Sequence, residues 1–273
     1  MVRPTHRYFA VTLRSFWLWV VLAWCLVALA APWLREAANP IDLAQMFAPP
    51  NAARWLRADE LGRSIAARVL AGAGVSVPLA LGVVLVSAFV GTSLGVMAGW
   101  LGGTPDHLVL RLTEIFQAVP GMLLAIALAG VLGPGAFNVA VALALTGWVG
   151  FARLARAQSA SLKQRAHVEA ARALGVREPG ILARHVMPLL AGPLLVEASF
   201  AFAATIAAEA GLSFLGLGAQ PPVATWGGML REATHFLLVA PHMLLGPALA
   251  LLSLVLAMQV GGERLRRRWQ GAG

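Results

Sequence analysis

The sequence predicts an all-α integral membrane protein with six membrane-spanning helices. Three observations carry that expectation: the apolar excess, its arrangement in long runs without charge, and the gathering of arginines between those runs. Hydrophobic residues make up 59% of the 273-residue chain and charged residues 12%, with a mean hydropathy of +0.76. A soluble domain of this size needs a larger charged fraction to cover its surface, so the solvent implied is lipid. No charged side chain occurs between Phe16 and Leu34, between Val69 and Pro105, or between Ile115 and Ala152. Each run is long enough for a helix across a hydrocarbon core of about 30 Å, and the last two are long enough for more.

The first span is expected at about 16–34 and the second at about 76–100. The N-terminal arginines followed by "ALAAP" superficially resemble a signal peptide. The apolar stretch exceeds the usual h-region of about 7–15 residues, however, and further spans follow, so an uncleaved helix is expected. The third span, about 115–133, follows the amphipathic "DHLVLRLTEIFQAVP" and ends at "GPG", Gly133–Gly135, where proline lacks a donor and glycine frees the backbone. The fourth is expected at about 136–157, the fifth at about 188–208 and the sixth at about 236–260. Residues 1–71 then form a tail, the first span and an outer loop. Residues 72–262 form the core, and 263–273 a basic tail.

Orientation follows from the arginines. Arg3, Arg7 and Arg14 lie before the first span, and Arg264, Arg266, Arg267 and Arg268 after the sixth. The segment 158–187 and the end of the fourth span add Arg153, Arg156, Lys163, Arg165, Arg172, Arg177 and Arg184. An even number of spans places these three groups on one side, and the positive-inside rule makes that side the cytoplasm. The first outer loop, Arg35 to Arg68, fits awkwardly because it holds five arginines. The net charge of +9 thus serves topology and anionic lipid headgroups rather than nucleic acid. Within the second span Gly91, Gly95 and Gly99 form a smooth strip of the kind that lets helices approach closely, and packing is the expected role.

The segment 158–187 breaks the apolar pattern. "QRAHVEAARAL", Gln164–Leu174, is rich in helix formers. Arg165 and Glu169 stand four residues apart, a spacing at which they can pair. Gly175 suits the left-handed residue after a helix. "ILARHVM" can make a second short helix before Pro188 opens the fifth span. Small residues at Ala170 and Ala171 leave room for a partner surface, although a basic amphipathic helix can equally lie on lipid.

No catalytic constellation accompanies this architecture. The only lysine, Lys163, follows no glycine-rich loop, so a Walker phosphate cradle is absent. The six histidines are dispersed and the single cysteine, Cys25, lies in an apolar run, so neither a metal site nor a disulfide is expected. A self-contained secondary transporter should show an internal repeat and coupling charges within the membrane. The sequence displays no convincing repeat, and Glu197 alone lies clearly inside an expected span. A carboxyl at that depth is costly unless it faces protein or water, which points Glu197 into the bundle or a pathway.

"EAARALG", nine residues, then "HVMP" resembles the signature loop of ABC importer permeases. The resemblance extends to "DELGRS" at Asp59–Ser64, to the region from "VLGPG" through the signature, and to "AEAGLSFLGLGAQPPVATWGGML", Ala208–Leu230. The last is similar to the outer loop of the second permease in dipeptide, oligopeptide and nickel importers. Arg57 and Ala58, Ser64 and the late "VGGERLR" depart from the usual pattern. The resemblance implies the type I ABC importer permease fold, with 72–262 as its core. It further implies coupling to an ATPase through Glu169, Ala170, Ala171, Gly175 and Pro188, and a pathway mouth formed by Glu209, Gly211, Phe214, Gly216, Gly218, Pro221 and Trp226. Glu197 is where the family often carries glutamine, which argues against an essential charge there. The implied partners are a homologous second permease, two cytoplasmic ATPases that carry the ATP and Mg²⁺, and an extracytoplasmic binding protein, in a bacterial inner membrane. Di- or oligopeptides are the expected cargo, with nickel, opines or glutathione as alternatives.

Overall fold

The computed structural model describes residues 5–47, 56 and 58–270, and the side chains of 5–15, 35–37 and 270 are not considered. Arg3 and Arg57 therefore lie outside the described residues, as do 271–273 of the basic tail. Among those described, the chain is helical, with one isolated bridge between Ala58 and Ser64. Helix α1 spans Thr5–Ala38, α2 Ile65–Leu101, α3 Gly103–Ala118, α4 Gly121–Leu132 and α5 Ala136–Lys163. They are followed by α6 Ala166–Ala173, α7 Glu178–Ile181, α8 Met187–Phe214, α9 Trp226–His235 and α10 His242–Gln270. Five helical stretches are long and apolar enough to cross a membrane, and six if the α3–α4 pair counts as one span.

That pair departs from the single helix expected over 115–133. Its two helices meet at 83°. Val119 is extended (φ −108°, ψ 134°) and Pro120 caps α4. The proline ring excludes the helical conformation at the residue before it, so the chain turns there. At the far end of α4 the Asn138 amide donates to the carbonyls of Leu132 and Gly133 and closes the turn through Gly133–Gly135.

The other boundaries shift for local reasons. Helix α8 continues six residues beyond the expected 208, so Glu209, Gly211 and Phe214 sit in its last turns rather than in a loop. Helix α10 begins at His242, after a turn at 236–241, and not at Phe236. The stretch expected as a free second helix before Pro188 is instead continuous with α8. A widened π turn, Leu182–Val186, joins α7 to α8, with the Met187 amide bonded to the Leu182 carbonyl. A proline ring crowds the carbonyl four residues earlier, and a wider turn relieves that crowding.

The helices pack through small residues, as lipid supplies no hydrophobic drive between them. Gly91, Gly95 and Gly99 of α2 lie on α5 at Trp148 and Phe151, at Ala152 and Ala155, and at Arg156 and Ser159. Any side chain at these three positions would strike α5 backbone carbonyls. The main core gathers Val69, Val77, Phe151, Ile206, Trp226 and Leu254 from α2, α5, α8, α9 and α10.

Candidate functional site: two ends of a helical bundle

The basic end is built on α6. Val168 and Ala171 are buried on one face of this short helix, with Ile181, Val186 and Leu190 of the α7–α8 segment and with Trp100 and Leu162 of α2 and α5. The opposite face is exposed and holds Glu169 and Ala170. The helix ends in a complete Schellman turn. Gly175 takes φ +78°, its amide bonds to the Arg172 carbonyl at 3.0 Å, and the Val176 amide bonds to the Ala171 carbonyl at 3.1 Å. This turn presents Leu174 to the outside at 84% exposure. Ala171, expected beside Ala170 as open space for a partner, is buried instead and packs α6 onto the bundle. Pro188 is exposed in the first turn of α8.

A polar clamp fixes this unit to the spans. The Trp100 indole donates to Glu178 Oε2 at 2.8 Å, and Arg172 Nε donates to Glu178 Oε1 at 2.8 Å. The Arg172 guanidinium also lies 5.9 Å from the centre of the Trp100 ring. Lys163, at the end of α5, donates to the Trp100 carbonyl at 2.6 Å. Thus α2, α5, α6 and α7 meet at one point. The hydrogen bond to Glu178, with its charge, holds the Arg172 guanidinium above its ordinary pKa. Arg172 therefore pairs forward with Glu178, while the sequence spacing had pointed to Arg165 and Glu169. A further pair, Arg156 with Asp106 (Nη2–Oδ2 2.7 Å), joins α5 to the start of α3.

The opposite end is closed by buried charge. Asp59 is 1% exposed and accepts from the amides of Leu61 and Arg63, both at 2.9 Å, from Arg63 Nε at 2.7 Å and from Arg68 Nη1 at 2.6 Å. Arg68 also pairs with Glu232 of α9 at 2.7 Å, and Arg63 with Glu60 at 2.9 Å. Burial pushes the Glu60 carboxyl above its usual range, as do the neighbouring Asp59 and Glu232, against the pull of Arg63. Carboxylate oxygens of Asp59, Glu60 and Glu232 lie within 4.8 Å of one another, and the two guanidiniums between them meet that charge. Two of the five arginines that fit poorly with the positive-inside rule are therefore internal counter-ions. Ser64, where the family resemblance implied aspartate, caps α2 by accepting from the Ala67 amide.

The "LSFLGLGAQPP" stretch folds over this end. Gly216 (φ +87°) closes α8 in a second Schellman turn, with the Leu217 amide on the Leu212 carbonyl at 2.9 Å. The Leu217 carbonyl then accepts from Gly135, tying the loop to the start of α5. Gln220 donates to the carbonyls of Gly216 and Gly218, and Gly218 lies against Ser213. Pro221 is exposed, and Phe214 is 41% exposed. Gly211 faces Met122 of α4. Two residues expected at a mouth are interior. Trp226 is fully buried, donates from its indole to the Val69 carbonyl at 2.9 Å and stands edge-on to Trp24 at 4.9 Å. Glu209 is 1% exposed and accepts from Ser213 at 2.7 Å. Trp226 thus anchors the end of the loop to α2, and Phe214, Pro221 and a cavity of about 220 Å³ beside Arg68, Gln220 and Arg231 remain at the surface.

Glu197 lies between these ends. It is half-buried in α8 and, with Thr113, Gly150, Arg153 and Arg156, lines a cavity of about 480 Å³ between α3, α5 and α8. Sequence reasoning missed Leu174, Trp100 and Glu178 at the basic end. The apolar Leu174 inside a charged segment was the one signal that could have marked it.

Comparison with known proteins places this architecture. Residues 91–271 match the family model described as the binding-protein-dependent transport system inner membrane component. The chain is 40% identical over 266 residues to the glutathione transport system permease protein GsiD of Escherichia coli, covering 97% of this chain and 86% of that one. To the GsiD of Pectobacterium atrosepticum it is also 40% identical, over 231 residues, covering 85% and 77%. A solved structure of the MetNI methionine ABC transporter, described as inward-facing, superposes with a TM-score of 0.60. It covers 74% of this chain and 96% of that one at 16% identity, a likeness of fold. The chain belongs to the family of binding-protein-dependent transport system inner membrane components and is a permease subunit of an ABC importer.

Proposed function

We propose that this chain is one of two homologous permeases in an importer of short peptides, with glutathione, itself a γ-linked tripeptide, as the favoured cargo. The observation that carries the cargo is the 40% identity, over 97% of the chain, to relatives named as glutathione permeases. It moves the expectation from ordinary di- and oligopeptides toward glutathione and away from nickel. An extracytoplasmic binding protein delivers the cargo to the end closed by the 215–225 loop. Two ATPases, which carry the ATP and Mg²⁺, engage the other end on the cytoplasmic side, the side to which the positive-inside rule assigns the arginine-rich stretches of the sequence.

The exposed face of α6 is the contact with the ATPase. Leu174 serves as an apolar knob, with Glu169 and Ala170 beside it and Gly175 setting its direction. Trp100, Lys163, Arg172 and Glu178 pass the movement of α6 to α2, α5 and α8, and the segment through Pro188 carries it into α8. The cavity at Glu197 is a polar station on the inward path. Uptake of labelled glutathione, an alanyl dipeptide and nickel is measured in cells expressing this chain with its partner subunits. Glutathione uptake that requires this chain is expected. Uptake of nickel without either peptide would overturn the proposal.

A further inference from the structure

The cavity between α3, α5 and α8 holds two charges of opposite sign that the chain itself leaves uncompensated. Among the described residues, no hydrogen bond or ion pair engages the Glu197 carboxylate. It lies over Gly150 of α5, where any side chain would strike its Oε1. Arg153 stands three residues further along α5, about 4.5 Å or nearly one turn along the helix. Its Nη1 donates to the Gln117 side-chain oxygen of α3 at 2.9 Å. That acceptor is neutral, and among the described residues no carboxylate pairs with Arg153. The other polar groups of the lining are spent. Arg156 pairs with Asp106, its Nη2 2.7 Å from Oδ2, and the Thr113 hydroxyl donates to the Leu110 carbonyl at 2.8 Å. The remaining lining is aliphatic apart from Gly150.

An uncompensated charge at membrane depth is costly and marks a place where something else supplies the partner. A carboxylate takes up an ammonium, and a guanidinium takes up a carboxylate in paired hydrogen bonds. One fragment satisfies both groups at once: an ammonium and a carboxylate on a single carbon, the free α-amino-acid head. An ordinary peptide lacks this head. Its first residue keeps the ammonium but spends the α-carboxyl in the peptide bond. A γ-linked peptide retains the head intact, because the side-chain carboxyl makes the bond instead. The cavity, about 480 Å³, falls within the range of about 300–1,000 Å³ that small-molecule sites occupy.

We propose that Glu197 and Arg153 form a recognition site for the free α-amino-acid head of a γ-linked peptide. Glu197 accepts from its α-ammonium and Arg153 donates to its α-carboxylate. The site rests on the cargo reading above and gives the permease a selectivity of its own, exercised after the binding protein has released the peptide.

Saturation-transfer NMR titrations of the complete permease–ATPase complex, without binding protein, test it. Three peptides are compared: glutathione, glutaryl-cysteinylglycine, which lacks the α-ammonium, and γ-aminobutyryl-cysteinylglycine, which lacks the α-carboxylate. Glutathione should bind at least about tenfold more tightly than either analogue, the effect of losing a hydrogen bond between charged groups. Glu197→Leu should erase the preference over the glutaryl peptide and keep that over the aminobutyryl peptide, and Arg153→Gln should do the reverse. Glu197→Gln retains an acceptor oxygen and should hold glutathione within about tenfold of the parent. No glutathione binding to the parent, equal binding of the three peptides, or uniform weakening of all three in both variants would each overturn the proposal. The comparison of analogues needs only the parent complex, so it stands if a variant fails to assemble. Uptake of labelled glutathione by the complete importer, measured in parallel, separates the two readings. Uptake without preference among the peptides removes the site and keeps the cargo, whereas absence of uptake removes the cargo and the site with it.

Discussion

The two ends of the bundle use charge in opposite ways. At the end closed by buried charge Asp59, Arg63 and Arg68 are at most 6% exposed and share one network with Glu60 and Glu232. At the basic end the Arg172–Glu178 pair has both side chains more than 40% exposed, and the apolar Leu174 stands 84% exposed beside it. Buried ionic groups have given up their hydration and must satisfy one another instead, so a closed network holds one geometry. Exposed pairs contribute little to stability. The buried charges therefore act as scaffold, whereas the surface at the basic end is left exposed.

Breaking the buried network should have the largest effect. Arg68→Met leaves Asp59 and Glu232 without their shared guanidinium, and loss of one partner from a buried pair costs about 3–5 kcal/mol. A detergent melting curve should show a large fall in midpoint, and an unchanged midpoint would refute the scaffold reading. Next is the seam joining the two ends. Gly95→Leu forces a side chain into the α5 backbone at Ala152, and overpacking of this kind costs about 1–3 kcal/mol. Gly82→Leu, where a side chain would meet open space, should melt like the parent and so isolates the steric cause.

The basic end should fail in a different manner. Glu169→Lys reverses a charge on the exposed face of α6, and Gly175→Pro demands a negative φ where the chain takes +78°. Both variants should insert normally while uptake falls about tenfold, equivalent to about 1.4 kcal/mol of activation free energy. ATPase stimulation by the loaded binding protein should fall with it. Unchanged uptake and stimulation in both would remove α6 from the coupling route. Glu197→Gln, in the cavity between the ends, should retain transport within tenfold, since an amide keeps the polar lining. A larger loss would assign Glu197 an obligatory charge. The smallest effect is expected for Glu178→Gln, which removes an exposed ion pair but leaves an acceptor for the Trp100 indole; its melting midpoint should barely change.

Some of this was legible in the chain and some was not, for identifiable reasons. The spans were readable because each must satisfy its own backbone hydrogen bonds within lipid, which demands long uncharged runs. The end of α6 was readable because a left-handed residue after a helix favours glycine, and Gly175 occupies that position. The 83° bend at Val119–Pro120 falls inside the single helix expected over 115–133; Pro120 was the signal for a break there, but not for its angle, because proline disfavours a conformation without choosing its replacement.

Local pattern determined, by itself, where the chain is helical and which stretches are apolar. Tertiary structure alone decided which charged and aromatic groups are internal. Arg63 and Arg68 look like any loop arginines until Glu232, far along the chain, supplies their counter-charge. Trp226 reads as a surface aromatic until the Val69 carbonyl accepts from its indole. Trp100 is linked to the segment 158–187 by Glu178, and α10 meets α1 and α8 along a groove that no one helix defines. In each case the deciding partner lies on another helix. A helix fixes its own periodicity through hydrogen bonds between near neighbours, but its partners are chosen by packing between segments far apart in the chain.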